Sequence, residues 1–294
     1  MSLAARVRTY AELVTFSHTV FALPFAASAV VLALAVPHVP LAPLRVLAML
    51  VCMVAARSSA MAFNRWVDRD LDAANPRTAT RQIPRGVVRP AEALGVAGGA
   101  AAVFLASAAT LGVWPAVLAP AVLAVLLGYS YTKRFTWASH AWLGLALALA
   151  PGGAWIAMGA GPGLGILALM IAVITWLSGF DILYSLQDEA FDRARGLHSV
   201  PARFGTSRAL ALSAAAHVVT VVALAATGAV LHRGALYAVA VVVTAVLLVY
   251  EHRVVAGGNL AKIDRAFFNV NAYVSVGFFV LVLADELGRR GVLP

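Results

Sequence analysis

The sequence predicts an all-α integral membrane protein with nine transmembrane helices and a cytoplasmic N-terminus. Three observations carry that expectation: 62% of the 294 residues are hydrophobic and only 12% charged, mean hydropathy is +0.88, and the apolar residues fall in long runs. An ordinary soluble domain is roughly 45–50% apolar, whereas a helix needs about 20 apolar residues to cross the hydrocarbon core with its backbone bonds satisfied internally. The single cysteine, Cys52, lies inside one such run, which excludes a disulfide framework or a cysteine metal cluster. The opening MSLAARVRTYAELVTF has no small-residue cleavage site behind a short apolar core, so no removable signal peptide is expected.

In chain order the spans are expected at roughly 14–36, 43–66, 91–112, 114–132, 138–158, 162–186, 208–230, 234–252 and 267–287. Pro24 is expected to kink the first, and Pro151-Gly152-Gly153 to loosen the fifth, because both disturb the i to i−4 ladder. With the N-terminus inside, 17 of the 22 lysines and arginines fall on the inner side. The outer side receives Arg45, Arg233, Arg289 and Arg290, and Arg57 alone lies within a span. The net charge of +9 therefore reads as topology and attraction to anionic lipid, with no need for nucleic acid. Residues 1–294 read as a single transmembrane domain whose polar chemistry lies on the inner face, where the long connections after spans two and six emerge.

Two acidic constellations mark that face. In NRWVDRDLD, Asn64, Asp68 and Asp72 recur at i, i+4 and i+8, which stacks them along one side of a helix, while Asp70 falls about 200° around from Asp68. In DILYSLQDEAFD, Asp181, Tyr184, Asp188 and Asp192 fall at i, i+3, i+7 and i+11 and are expected to share a face. Asp188 and Asp192 each stand 120 residues after Asp68 and Asp72, which points to two similar helical halves. A lone aspartate at a helix end is usually solvated or a cap, but coincidence would here have to repeat on two helices and one membrane side.

Magnesium takes hard oxygen ligands and is commonly held by one or two carboxylates plus substrate phosphates. Two acidic pairs with Asn64 can thus clamp a diphosphate through bridging metal ions. Cations accompany them: Arg69, Arg77, Arg81, Lys133 and Arg193, with guanidinium groups suited to grip phosphate oxygens in pairs and lysine acting as a point charge. Arg57, two turns deeper than Asn64 on the same face, is expected to face a cavity because lipid exposure of a charge is costly. His18 has no second histidine or cysteine at ligand spacing and reads as a core or cavity-lining residue.

These motifs, with RTATRQIPRG after the first, YSYTKR between and GLHSVPARFG after the second, resemble the UbiA family of intramembrane aromatic prenyltransferases over nearly the whole chain. Asn64, Asp68 and Asp72 match the family's N-x-x-x-D-x-x-x-D; Asp188 and Asp192 match its D-x-x-x-D; Tyr129 and Lys133 match Y-x-x-x-K. Where the family often reads N-R-P-L-P, this chain has Thr80-Arg81-Gln82-Ile83-Pro84, a departure that points to a subgroup. The resemblance implies a nine-helix bundle around a central cavity open to the cytoplasmic leaflet. It also implies magnesium-dependent transfer of a polyprenyl group from polyprenyl diphosphate to an aromatic ring carbon, in respiratory quinone synthesis at a bacterial-type inner membrane.

Within the family, an arginine seven residues before the asparagine is similar to the 4-hydroxybenzoate branch, and Arg57 stands there. It would hold an aromatic carboxylate, with Asp181 and Tyr184 orienting or deprotonating the phenol. An acceptor such as 1,4-dihydroxy-6-naphthoate of the futalosine route to menaquinone stays open, since FSHT-FALPFA and KIDRAFF resemble its prenyltransferases. A secondary transporter is the competing class, disfavoured because its site would lie at the bilayer midplane.

Overall fold

The computed structural model describes residues 9–14, 21–36, 43–256 and 263–292. Among these the regular elements are all helical: α1 (Ala22–Ala33), α2 (Pro43–Val67), α3 (Arg69–Ala74), α4 (Pro90–Thr110), α5 (Val113–Thr132), α6 (Ser139–Ala157), α7 (Leu164–Ser185), a 3-10 turn (Leu186–Asp188), α8 (Glu189–Ala194), α9 (Val200–Phe204), α10 (Thr206–Val230), α11 (Ala235–Ala256) and α12 (Ile263–Arg289). Eight of them are long and apolar enough to cross a membrane, at the positions expected for spans two to nine. The first expected span is represented by the 12 apolar residues of α1; its N-terminal part, including His18, lies outside the described residues, as does Lys262. Pro24 does not interrupt α1, because it falls in the first turn, where a missing N–H leaves no intrahelical bond unmade. Helix α6 likewise runs through Pro151.

Large apolar side chains such as Leu44, Trp114, Val218, Val222, Val242 and Val246 are largely exposed. Such a surface suits a solvent of acyl chains and would be a liability in water.

The chain divides into two compact units, residues 1–19 with 42–131, and residues 20–41 with 132–294. In the first unit α2 packs along α4. Leu13, Ala62, Ile83, Val88, Ala93 and Ala97 form a shared core, backed by Phe63 and Trp66. Ile83 and Val88 anchor the connection after α3 in that core, which fixes the path of its polar residues. Pro90 then opens α4 at a position that needs no N–H, and Glu92 accepts the Arg89 N–H at 2.9 Å.

In the second unit α7 packs between α6 and α10, α10 against α11, and α12 against α11 and α1. Close approach depends on missing side chains. A Cβ on Gly144 of α6 would lie 2.3 Å from the Ile174 carbonyl oxygen of α7, and one on Gly179 would lie 2.4 Å from the His217 ring. Gly144→Ala must push backbone away from backbone, so it is expected to cost about 1–3 kcal/mol, read as a lowered unfolding temperature in detergent. An unchanged unfolding temperature would show that α6 and α7 do not meet this closely.

The acidic motifs share one local architecture. Helix α2 is interrupted at Asp68 (φ −92°, ψ 5°) and resumes as the six-residue α3. Helix α7 passes through its 3-10 turn to Asp188 (φ −99°, ψ 0°) and resumes as the six-residue α8. The 120-residue recurrence of the aspartates thus has a backbone counterpart. Neither break carries a proline or glycine.

Candidate active site

In the first unit, the i to i+4 backbone pattern survives the break at Asp68. Asp68 N–H bonds to Asn64 O at 2.9 Å and Asp72 N–H to Asp68 O at 2.7 Å. Asn64, Asp68 and Asp72 therefore keep the common face their spacing predicts. Asn64 Nδ2 donates to Asp68 Oδ2 at 2.8 Å and to Ser130 Oγ of α5 at 3.4 Å. Asp72 is only 5% exposed. Its Oδ1 receives Arg81 Nη1 at 2.6 Å, and its Oδ2 is buried with no hydrogen-bond partner.

The connection after α3 is folded to present Arg81. Asn75 Oδ1 accepts the Arg77 N–H at 3.0 Å, and Thr78 Oγ1 donates to the Asp72 carbonyl at 3.1 Å. Asp72 is thus gripped by backbone and side chain from the same turn. Arg77 is exposed. Arg69 donates to the Trp66 carbonyl at 2.8 Å, lies over the Trp66 ring and pairs with exposed Asp70 at 3.6 Å. Arg65, which sequence reasoning counted only as an inner-side charge, is buried and interacts electrostatically with Asp72, Asp68, Arg81 and Arg77. Its place beside Asn64 was the available signal. Arg57 is half-buried on α2.

In the second unit Lys133 Nζ donates to Asp192 Oδ2 at 3.2 Å, and Asp192 is 2% exposed. The second aspartate of each motif is therefore held by a cation, Asp72 by Arg81 and Asp192 by Lys133. Asp188 is buried at the helix break. The 3-10 turn winds about 120° per residue against 100° in an α-helix, so the chain between Tyr184 and Asp188 departs from the even winding that simple spacing assumes. Tyr184 rests against Phe180, ring centroids 6.3 Å apart. Arg193 points to the exposed side and bonds Glu189 at 2.9 Å.

Asp181 has a partner that sequence reasoning missed. His140 Nδ1 lies 2.6 Å from Asp181 Oδ2, and His140 Nε2 faces the Val200 N–H at 3.2 Å. The residues are 41 and 60 positions apart, so no local spacing announces the pair.

Among the described residues no three histidine, cysteine or acidic side chains converge as a ligand set. The donors the motifs do offer, carboxylates and an amide, are all hard oxygens. Asp72 Oδ2, a buried acceptor without a donor, is an atom that a cation satisfies. Magnesium needs only one or two carboxylates when phosphate and water complete its shell, so these residues fit it.

The family pattern for the UbiA prenyltransferase family matches residues 22–273. The chain belongs to the UbiA prenyltransferase family. Among curated relatives, this UbiA-family chain is 29% identical over 231 residues to the 4-hydroxybenzoate octaprenyltransferase of Aromatoleum aromaticum, covering 78% of each chain. It is 26% identical over 236 residues to the same-named protein of Nitrosospira multiformis, covering 80% of this chain and 81% of that one. Among solved structures, an apo UbiA homolog from Aeropyrum pernix K1 superimposes with a TM-score of 0.82 at 31% identity, covering 93% of this chain and 98% of that one. A UbiA homolog from Archaeoglobus fulgidus bound to DMAPP and Mg2+ shares the fold at a TM-score of 0.70 and 17% identity, over 94% of this chain and 99% of that one.

Proposed function

We propose that this UbiA-family protein transfers a polyprenyl group from a polyprenyl diphosphate to a ring carbon of an aromatic acid of the 4-hydroxybenzoate type. The reaction would serve respiratory quinone synthesis at a bacterial-type inner membrane, with the chemistry toward the cytoplasm and the N-terminus on that side. The observation that carries the reading is the doubled motif in which a buried aspartate is held by a cation, Asp72 by Arg81 and Asp192 by Lys133. The name 4-hydroxybenzoate octaprenyltransferase borne by its relatives supports the acceptor.

In this reading residues 1–294 form a single domain. Magnesium held by Asn64, Asp68 and Asp72 and by Asp188 and Asp192 would neutralise the diphosphate as a Lewis acid. Arg81 and Lys133, with Arg69, Arg77 and Arg193, stabilise the charge that gathers on the departing oxygens. The bond from the prenyl C1 to oxygen breaks, and its electron pair leaves with the diphosphate. The allylic carbon then bonds a ring carbon of the acid, and the hydrogen displaced from that carbon leaves as a proton. Water is kept out because it would capture the allylic cation. Arg57 binds the acid's carboxylate by charge-assisted hydrogen bonds, and Asp181 and Tyr184 hold the phenol.

The test is turnover by the purified protein in lipid nanodiscs, with a polyprenyl diphosphate, each aromatic acid in turn, and magnesium present or chelated. Magnesium-dependent prenylation of 4-hydroxybenzoate is expected. Arg57→Ala should raise the acceptor KM about tenfold or more with kcat little changed, because a carboxylate remote from the reacting carbon is bound alike in ground and transition states. No product with any acid would defeat the proposal, and preference for 1,4-dihydroxy-6-naphthoate would overturn the acceptor assignment.

A further inference from the structure

The second unit carries a hydrogen-bond path that neither motif accounts for. The Val200 backbone N–H can only donate, so His140 Nε2 accepts from it and the imidazole proton sits on Nδ1. That proton is donated to Asp181 Oδ2 at 2.6 Å. His140 is 1% exposed, and its ring is set between α7 and the start of α9. The same α9 entry is fixed by Ser199, whose Oγ accepts the Ala202 N–H at 3.3 Å. Just upstream, Leu197 N–H bonds the Asp192 carbonyl at 2.8 Å and His198 N–H bonds the Lys133 carbonyl at 2.7 Å. A near-continuous run of short polar links thus leads from Asp192 through residues 197–200 to His140 and on to Asp181.

We infer that His140 is a positioning residue for acceptor prenylation: its fixed tautomer aims the Asp181 carboxylate at the phenol of the aromatic acid and ties that aim to the loop carrying Asp192. This rests on the proposed prenyl transfer, in which Asp181 holds the phenol. A carboxyl group at the end of a side chain rotates freely unless one oxygen is pinned, and a single strong donor pins it. The close approach of α6 to α7 at Gly144 brings His140 within reach of Asp181, and Ser178 Oγ donates to the His140 carbonyl at 3.3 Å from the same side. A donor on α6 and an acceptor on α7 are thereby held at a fixed separation.

The purely structural alternative is that His140 only caps the Val200 N–H. Two isosteric replacements separate the roles, because an asparagine amide overlays the imidazole Nδ1 and a glutamine amide overlays Nε2. His140→Asn keeps a donor for Asp181 and loses the bond to Val200. His140→Gln does the reverse. The inference expects His140→Ala and His140→Gln to lower kcat/KM for the acid by about tenfold to a hundredfold with the KM for polyprenyl diphosphate unmoved, and His140→Asn to recover most of that loss. Recovery by glutamine and not by asparagine would overturn it, as would equal losses in all three variants that track their unfolding temperatures. If the wild-type protein prenylates no acid, the function proposal fails by itself. The inference is then decided by titrating 4-hydroxybenzoate onto each variant and reading affinity by calorimetry, where the same asparagine-over-glutamine order is expected and its reversal counts against it.

Discussion

Replacing Asp72 by alanine is expected to lower prenyl transfer about a thousandfold or more, while Asp70→Ala stays within a few-fold of the unaltered protein. The contrast comes from surroundings, since both are aspartates of one nonapeptide. Asp72 is buried, gives one oxygen to Arg81 at 2.6 Å and keeps the other buried without a donor. Alanine removes a site for a cation and leaves Arg81 without its counter-charge. Asp70 has an 84% exposed side chain paired loosely with Arg69 at 3.6 Å, an arrangement worth little in water. Steady-state rates with magnesium titrated for each variant make the comparison. Retention of a tenth of the activity by Asp72→Ala would remove it from the metal set and sink the proposed mechanism.

Arg233→Ala is expected to be the most destabilising single change outside the acidic motifs, by about 3–5 kcal/mol, because it strips the counter-charge from buried Asp285 and leaves buried Glu286 with Arg290 alone. The Arg233 side chain is fully buried. Its Nε donates to Asp285 at 3.0 Å and its Nη1 to Glu286 at 2.8 Å. Asp285 also accepts the N–H groups of Gly234 and Tyr237, and Glu286 receives Arg290 at 2.7 Å. Arg290 in turn donates to the Leu34 carbonyl at 2.9 Å, which ties the end of α1 to α12. Thermal unfolding in detergent measures the loss. A shift no larger than that of a surface substitution would mean the carboxylates find other donors.

Hydropathy placed spans two to nine within a few residues, because a membrane span must be long and apolar to exist at all. The acid spacing was legible for the same kind of reason: a period of four survives the turn at Asp68, so Asn64, Asp68 and Asp72 stay on one face. The change of winding after Tyr184 was not legible, because a 3-10 turn intervenes there without proline or glycine to announce it. Arg233 was counted only as an outer-side positive charge, and its neutralisation by Asp285 and Glu286 from α12 was not foreseen. Pairing over fifty residues of sequence leaves no local pattern. His140 was invisible on the same ground, since its partners are set by how α6 meets α7. Both misses concern long-range polar pairs, which composition and periodicity do not encode.

Lys133 meets the chain around the second motif twice, once through its ammonium group to Asp192 and once through its carbonyl to the N–H of His198, six residues on. The second tether is indifferent to which side chain stands at 133. Loop geometry and chemistry are therefore separable there: Lys133→Met keeps the backbone anchor and removes only the positive charge. The lost charge is the one that pairs with the buried Asp192 carboxylate, so folding and reaction both restrain drift at this position, whereas the backbone anchor does not depend on the side chain.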